Sequence, residues 1–167
     1  MKSIYKILIA TIALLTSSCG IYNFRGANIP EDVKTFSVGF FSNEASYVNP
    51  SLSVDLTEKL KTKFQTETTL NLKSEDGDYQ MSGVIKRYEI TPAALNAQTG
   101  AAQTQFSITI TVDFTCPKYP EKDFSRDFTS STTFEASTEF SSVESSLSQE
   151  LTEIIVQQIF AAIALDW

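Results

Sequence analysis

Histidine is absent from this 167-residue chain, and cysteine occurs twice, at Cys19 and Cys116. Without an imidazole there is no Ser-His or Cys-His nucleophile pair, no histidine general base and no histidine-bearing zinc site. Cys116 alone cannot build a thiolate metal cluster, and a lone thiol of this kind is expected to be buried and inert. Carboxylates remain. Glu31/Asp32 and Glu75/Asp76/Asp78 are the acidic groupings. The turn "EDGD" lacks the spacing of a calcium loop and reads as a hydrophilic turn. A glycosidase needs two carboxylates held across a cleft, and the sequence nominates no such pair. The expectation is a chain that is not an enzyme and carries no metal.

Cys19 invites a different chemistry. Lys2 and Lys6 precede the apolar run "ILIATIALL", Ile7 to Leu15. A positive start, a short apolar core and a small-residue approach to a cut site describe a secretory signal. The run is too short for a hydrocarbon core of ~30 Å, which needs roughly 20 residues. The following "LTSSC" resembles the cleavage box of bacterial lipoproteins, although Thr16 stands where leucine is commonest. In that class the cysteine thiol takes diacylglycerol, the peptidase cuts before it, and the new amino group is acylated, with palmitate a usual chain. Each buried CH₂ is worth ~0.8 kcal/mol, and two or three chains on one residue hold firmly where one does not. The covalent lipid on Cys19 is the only cofactor expected. The residue after it is Gly20, not the aspartate that retains enterobacterial lipoproteins in the inner membrane. No acidic stretch follows of the kind seen in lipoproteins exported to the surface of Bacteroidetes cells. Both points favour the periplasmic face of the outer membrane.

The bulk numbers fit one domain of ordinary size. Net charge is −7, and loss of Lys2 and Lys6 with the leader makes the remainder more acidic still. Such a surface argues against a nonspecific polyanion binder, and no nucleic-acid partner is expected, since phosphate contact is dominated by Lys and Arg; a local basic patch stays open. The division read from the sequence is a signal at 1–18, a lipidated tether at 19–32 and a single domain at 33–167.

The elements follow from periodicity. Phe36, Val38 and Phe40 alternate as a strand with one buried face. Asn49 and Pro50 open a helix whose Leu52, Leu56, Leu60 and Phe64 recur every fourth residue; Glu58–Lys61 and Lys63–Glu67 are its candidate surface pairs. "TLNLKSEDGD" holds a short edge-like piece and a turn. In "YQMSGVIKRYEITP" the parity of Tyr79, Met81 and Ile85 differs from that of Val84, Tyr88 and Ile90, which a bulge near Gly83 would reconcile. Phe106, Ile108, Ile110, Val112 and Phe114 alternate with polar residues through the clearest strand. Phe124 and Phe128 continue the pattern after the turn "CPKYPEKD". "SSVE" has the form of a capping box, Ser141 with Glu144. Beyond it Val143, Leu147, Leu151, Ile154, Ile155, Gln158, Ile159, Ala162 and Ile163 trace a helix face. The expected fold is α+β: a two-layer sandwich of two helices on a four-stranded, mostly antiparallel sheet, order β-α-β-β-β-α, with the other sheet face rich in Ser, Thr and Gln.

Three segments, "CGIYNFRGANIPEDVKTFSVGFF", "NPSLSVDLTEKLKTKF" and "FSSVESSLSQELTEIIVQQIF", resemble in order and spacing the LPS-assembly lipoprotein family LptE, in its Bacteroidetes form. The resemblance implies two helices against a four-stranded sheet. It also implies an anchor in the inner leaflet of the outer membrane and a place as plug and assembly partner of the barrel translocon LptD, with lipopolysaccharide as ligand. Contact with its phosphates and acyl chains would call for cations beside an apolar edge. Lys86, Arg87 and Arg126 are the basic candidates, and Pro92 and Leu95 the apolar ones; no family position maps onto them residue by residue. The competing reading is a periplasmic lipoprotein that serves another envelope machine as assembly factor or lipid-binding module, with an enclosed apolar cavity between sheet and helices.

Overall fold

A computed structural model describes residues 28–165 apart from Val48, Asn96 and Gln98. The expected leader, Cys19 and most of the expected tether lie outside the described residues. In chain order the elements are β1 (Thr35–Val38), β2 (Ser42–Asn43), α1 (Leu52–Glu67), β3 (Asn71–Leu72), β4 (Tyr79–Ala93), β5 (Gln103–Thr115), β6 (Phe124–Glu135) and α2 (Phe140–Ala164), with a single 3₁₀ turn at Pro120–Lys122 before β6.

The three long strands form an antiparallel meander, and the strict alternation of β5 explains its central place. Phe106, Ile108, Ile110, Val112 and Phe114 are all buried under the helices. Their β4 partners include Met81, Ile85, Tyr88 and Ile90, and their β6 partners include Phe124 and Phe128. The β5–β6 register runs unbroken from Gln103↔Glu135 to Phe114↔Phe124. The other edge of β4 takes β1 and β2, both parallel, and β3 adds outside β1, also parallel.

The expected four-stranded, mostly antiparallel sheet in the order β-α-β-β-β-α is therefore wrong. The sheet has six strands, mixes parallel and antiparallel pairing, and follows the order β-β-α-β-β-β-β-α. Two local events account for the difference. The alternation of the first strand fails at Gly39: Phe40 turns outward, 66% exposed, and Phe41 is buried completely. The segment breaks there and restarts as β2 beside Val84 and Ile85. The second event is β3, where Asn71 and Leu72 are both exposed and carry no alternation, yet pair with Thr35 and Phe36. Two-residue strands are fixed by their neighbours and leave no period-2 signal.

The parity change in β4 is real but sits later than Gly83. The register shifts between Ile85 and Arg87, leaving Lys86 as the extra residue. Gly83 has a separate reason to be glycine. A Cβ there would lie 2.0 Å from the Thr111 carbonyl oxygen and 2.8 Å from the Phe41 ring, so the missing side chain lets that ring seat on the sheet.

Both helices pack on one face of the sheet. Leu52, Leu56, Leu60 and Phe64 of α1 are buried, with Phe64 against Phe36 at 5.6 Å and against Phe160 of α2 at 5.1 Å between ring centres. The expected surface pairs of α1 form, Lys61–Glu58 at 2.8 Å and Lys63–Glu67 at 3.6 Å. On α2 the buried stripe includes Thr152, Val156 and Phe160, while Ile154 and Gln158 face solvent. This helix covers the sheet on one side and α1 on the other, so its apolar arc is rotated and wider than a single-face count suggests. Neither helix start matches its expected cap. Ser51, not Asn49, precedes α1, and Asn49 instead accepts the Ser51 N–H (3.1 Å) and hydroxyl (2.9 Å). Glu139 precedes α2 with no side-chain cap bond, which leaves the Ser141–Glu144 box unformed and Glu144 free for another task.

Candidate functional site

Two surfaces carry the polar chemistry of the domain: the uncovered face of the sheet and the groove between the helices. The first follows from β5. With its odd-numbered residues turned away from the helices, Gln105, Ser107, Thr109, Thr111 and Asp113 form its row on the uncovered face, where Ser107, Thr109 and Thr111 are nonetheless buried and Asp113 is exposed. The β6 partners of the middle three are Ser131, Thr129 and Asp127. These hydroxyls bond sideways across the strands. Thr109 and Thr129 share a 3.0 Å hydrogen bond, and Thr111 donates to Asp127 at 2.6 Å. The Thr111 hydroxyl, then the Lys86 ammonium, hold the Asp127 carboxyl below the usual carboxylate range. The face is hydroxyl-rich, and the charge of Asp127 is matched in place by Lys86.

The five residues singled out for lipopolysaccharide contact do not form one cluster. Lys86 and Arg87 are adjacent at the bulge and serve the open face. Lys86 reaches Asp127 at 3.2 Å, and Arg87 lies 3.8 Å from Glu89 and donates to Thr109 at 3.4 Å. Arg126 pairs with the buried Val112 and so points to the helix side, where its guanidinium stacks 5.0 Å from the Phe124 ring centre. Pro92 pairs with Thr104 near the tip of the β4–β5 hairpin, and Leu95 lies just beyond, 66% exposed. Arg126 is near the start of β6, at the opposite end of the sheet from that tip.

The groove between α1 and α2 begins at a network that periodicity could not show. Glu144, half-buried, accepts hydrogen bonds from the Tyr88 hydroxyl at 2.8 Å, the Asn49 amide at 3.2 Å and the Tyr47 hydroxyl at 3.4 Å. Burial, and then the carboxylate beside it, push the Tyr88 hydroxyl up to about 12. Tyr47 stacks on Tyr88 with ring centres 5.5 Å apart and planes inclined by 13°. From there two cavities of about 400 and 430 Å³ run along the helix pair, and Asp55 and Lys59 line both. The only sequence signal here was Glu144 itself, three residues after a serine at a helix start, and that signal suggested a cap.

The acidic turn has a structural role. Asp78 accepts hydrogen bonds from the Lys34 and Thr35 amides at 2.9 and 3.0 Å and from the Thr35 hydroxyl at 2.9 Å, and lies 2.9 Å from the Lys118 ammonium. Burial works to raise its carboxyl, but these donors together hold it far below the usual range. Cys116 is buried, and burial pushes its thiol up. Among the described residues no group of three or more His, Cys, Asp or Glu could hold a metal ion, and no helix is long and apolar enough to cross a membrane.

Residues 33–163 match the family of lipopolysaccharide-assembly proteins, LptE. The chain belongs to the LptE family. The match embraces β1 through nearly all of α2, so the whole fold described above is the LptE domain. No curated protein matches the chain in sequence. Among solved structures, a minor lipoprotein of Acinetobacter baumannii is similar with a TM-score of 0.52 and 17% identity, over 78% of this chain and 92% of that one. A protein of Xanthomonas campestris reaches 0.54 at 14% identity, over 78% and 83%. Lipoprotein B of Nitrosomonas europaea reaches 0.52 at 10%, over 78% and 85%. At these identities the likeness is one of fold. An LptE-family assignment accords with a chain that works by binding and assembly and not by catalysis.

Proposed function

We propose that this chain is a non-catalytic lipoprotein, held through acylated Cys19 on the periplasmic face of the outer membrane. Its body fills and helps assemble the β-barrel translocon LptD, which delivers lipopolysaccharide to the cell surface. Family membership supports the export role. The observation that favours a plug is the open sheet face, where hydroxyls stand in rows and the charges of Lys86, Arg87, Glu89 and Asp127 are already matched. Such a face loses little on leaving bulk water for a water-lined lumen, because its groups exchange one set of hydrogen bonds for another. An exposed apolar face would instead bind nonspecifically.

Direct contact with lipopolysaccharide is assigned to Lys86 and Arg87, whose acidic partners, Asp127 and Glu89, are exposed and exchangeable. Arg126 would meet a phosphate only from the helix side, and Leu95 and Pro92 would meet acyl chains at the hairpin tip. The deciding experiment is mild-detergent purification of the native lipoprotein, with identification of what accompanies it. A β-barrel in near-stoichiometric amount is expected, and depletion should remove lipopolysaccharide from the surface. Depletion that leaves barrel assembly and transport intact would end this reading.

A further inference from the structure

We propose that the groove between α1 and α2 is a saccharide-binding site, with Tyr47 as stacking platform and Asp55, Lys59 and Gln149 as hydrogen-bonding groups. It stands independently of any barrel partner.

Three observations carry it. The first is unspent hydrogen-bonding capacity. Lys59 is half-buried between the two cavities, yet among the described residues no ion pair or hydrogen bond engages its ammonium. Asp55, Gln149, Glu153 and Gln157, which line the same cavities, are exposed, and their side chains have no protein partner among the described residues, so only water has to be displaced from them. The groove therefore offers a donor, acceptors and amides of both kinds within cavities of about 400 Å³, the size of ligand sites. Sugar hydroxyls both donate and accept, so they can satisfy such a mixed set.

The second observation is the platform. Tyr47 is half-exposed at the head of the groove and is held from behind by Tyr88. Its hydroxyl is tied to Glu144, and Glu144 is tied in turn to Asn49 and Tyr88. A ring fixed by its neighbours presents apolar area at low entropic cost, which suits the C–H face of a pyranose.

The third is what the groove lacks. Acids outnumber cations in both halves, Asp55 and Glu144 against Lys59 in one, and Asp55, Glu58 and Glu153 against Lys59 and Lys63 in the other. A phosphate site would reverse that balance. Amphipathic peptides need a row of apolar pockets, and the aliphatic lining consists of Pro50 in one cavity and Val156 in the other.

The test uses the full-length lipoprotein in a detergent without a sugar headgroup. Saturation-transfer NMR against trisaccharides of glucose, galactose and N-acetylglucosamine should show at least one binding with a dissociation constant on the order of 1 mM or tighter. Lys59→Ala and Gln149→Ala sit on helix surfaces and leave the fold intact. Each should weaken that binding about tenfold with an unchanged melting temperature, and Tyr47→Ala should abolish it. Absence of any trisaccharide signal, or a signal indifferent to both helix-surface variants, overturns the proposal. So does displacement of the sugar by an unrelated polar peptide at equal concentration.

Discussion

Asp78 shows how little of a residue's task can be seen in its neighbours along the chain. In sequence it belongs to an acidic turn; in space it ties the start of β1 to the start of β4 and to Lys118, which also donates to the Asp32 carbonyl. Hydrogen bonds to a charged group are worth roughly 1.5–3 kcal/mol net. Asp78→Asn should therefore lower unfolding stability by about 2 kcal/mol, read from the urea midpoint. The carboxyl is depressed in the folded state, so its contribution is complete above its unfolded value of ~3.9. It is lost as pH falls from there toward the folded value. Wild type should lose stability below about pH 4 more steeply than Asp78→Asn, and parallel curves would remove the account. Tyr88 is the counterpart on the other side of the sheet. Tyr88→Phe keeps the ring packing but leaves Glu144 and the Asn49 amide short of a partner. Thermal unfolding should register a loss of about 1–2 kcal/mol. No change in stability would mean that water replaces the hydroxyl at no cost.

At the scale of elements, what could be read from the sequence is what repeats. The Leu52-to-Phe64 stripe, the β5 alternation and the apolar run of α2 gave three elements whose neighbours they must then dictate. What could not be read has no period. β2 and β3 are two residues each, placed by β4 and β1, and the break at Gly39 depends on Phe41 finding room over Gly83. Lys86 takes up the parity change because the bulge needs an extra residue where an outward side chain costs nothing, and the hydrophobic pattern cannot locate it more closely than that. The candidate site behaves likewise. Lys86 and Arg87 were found as cations on a strand, but the Lys86 ion pair lies across the sheet at Asp127 while Arg87 pairs along its own strand with Glu89, and the Tyr47–Glu144 network joins segments almost a hundred residues apart. Gly83 is the sharpest test at this scale. Gly83→Ala pushes a methyl into the Thr111 carbonyl and the Phe41 ring, and overpacking of this kind costs typically 1–3 kcal/mol. The cost should fall when Phe41 is shortened as well, since a coupled pair is non-additive; strict additivity in the Gly83→Ala, Phe41→Leu cycle would refute the contact.

On the scale of the whole molecule, the proposed function implies two separable attachments, the lipid on Cys19 and the contact made by the folded body. Cys19→Ala removes acylation and, with it, two or three chains whose buried CH₂ groups contribute ~0.8 kcal/mol each. Intact mass on protein from its native bacterium should show the acyl increment in wild type and none in the variant. If the proposed partner holds the body by the uncovered sheet face, the unlipidated protein should nonetheless remain partly with washed membranes. That residue of binding has its own lever. Thr129→Lys places a charge on the exposed member of the 3.0 Å hydrogen bond that now joins the strands, and leaves the buried Thr109 in place. Thr129 is exposed on the sheet face proposed to meet the partner, so the lysine can extend into solvent when the protein is alone, while a closely apposed lumen wall would have to bury it. In the Cys19→Ala background this change should release the protein to the soluble fraction, about tenfold more than Cys19→Ala by itself. With Cys19 intact it should leave the protein on the membrane yet lose the co-purifying barrel. Retention of the barrel by the charged face would show that the partner is engaged elsewhere, with the inter-helix side the remaining polar surface.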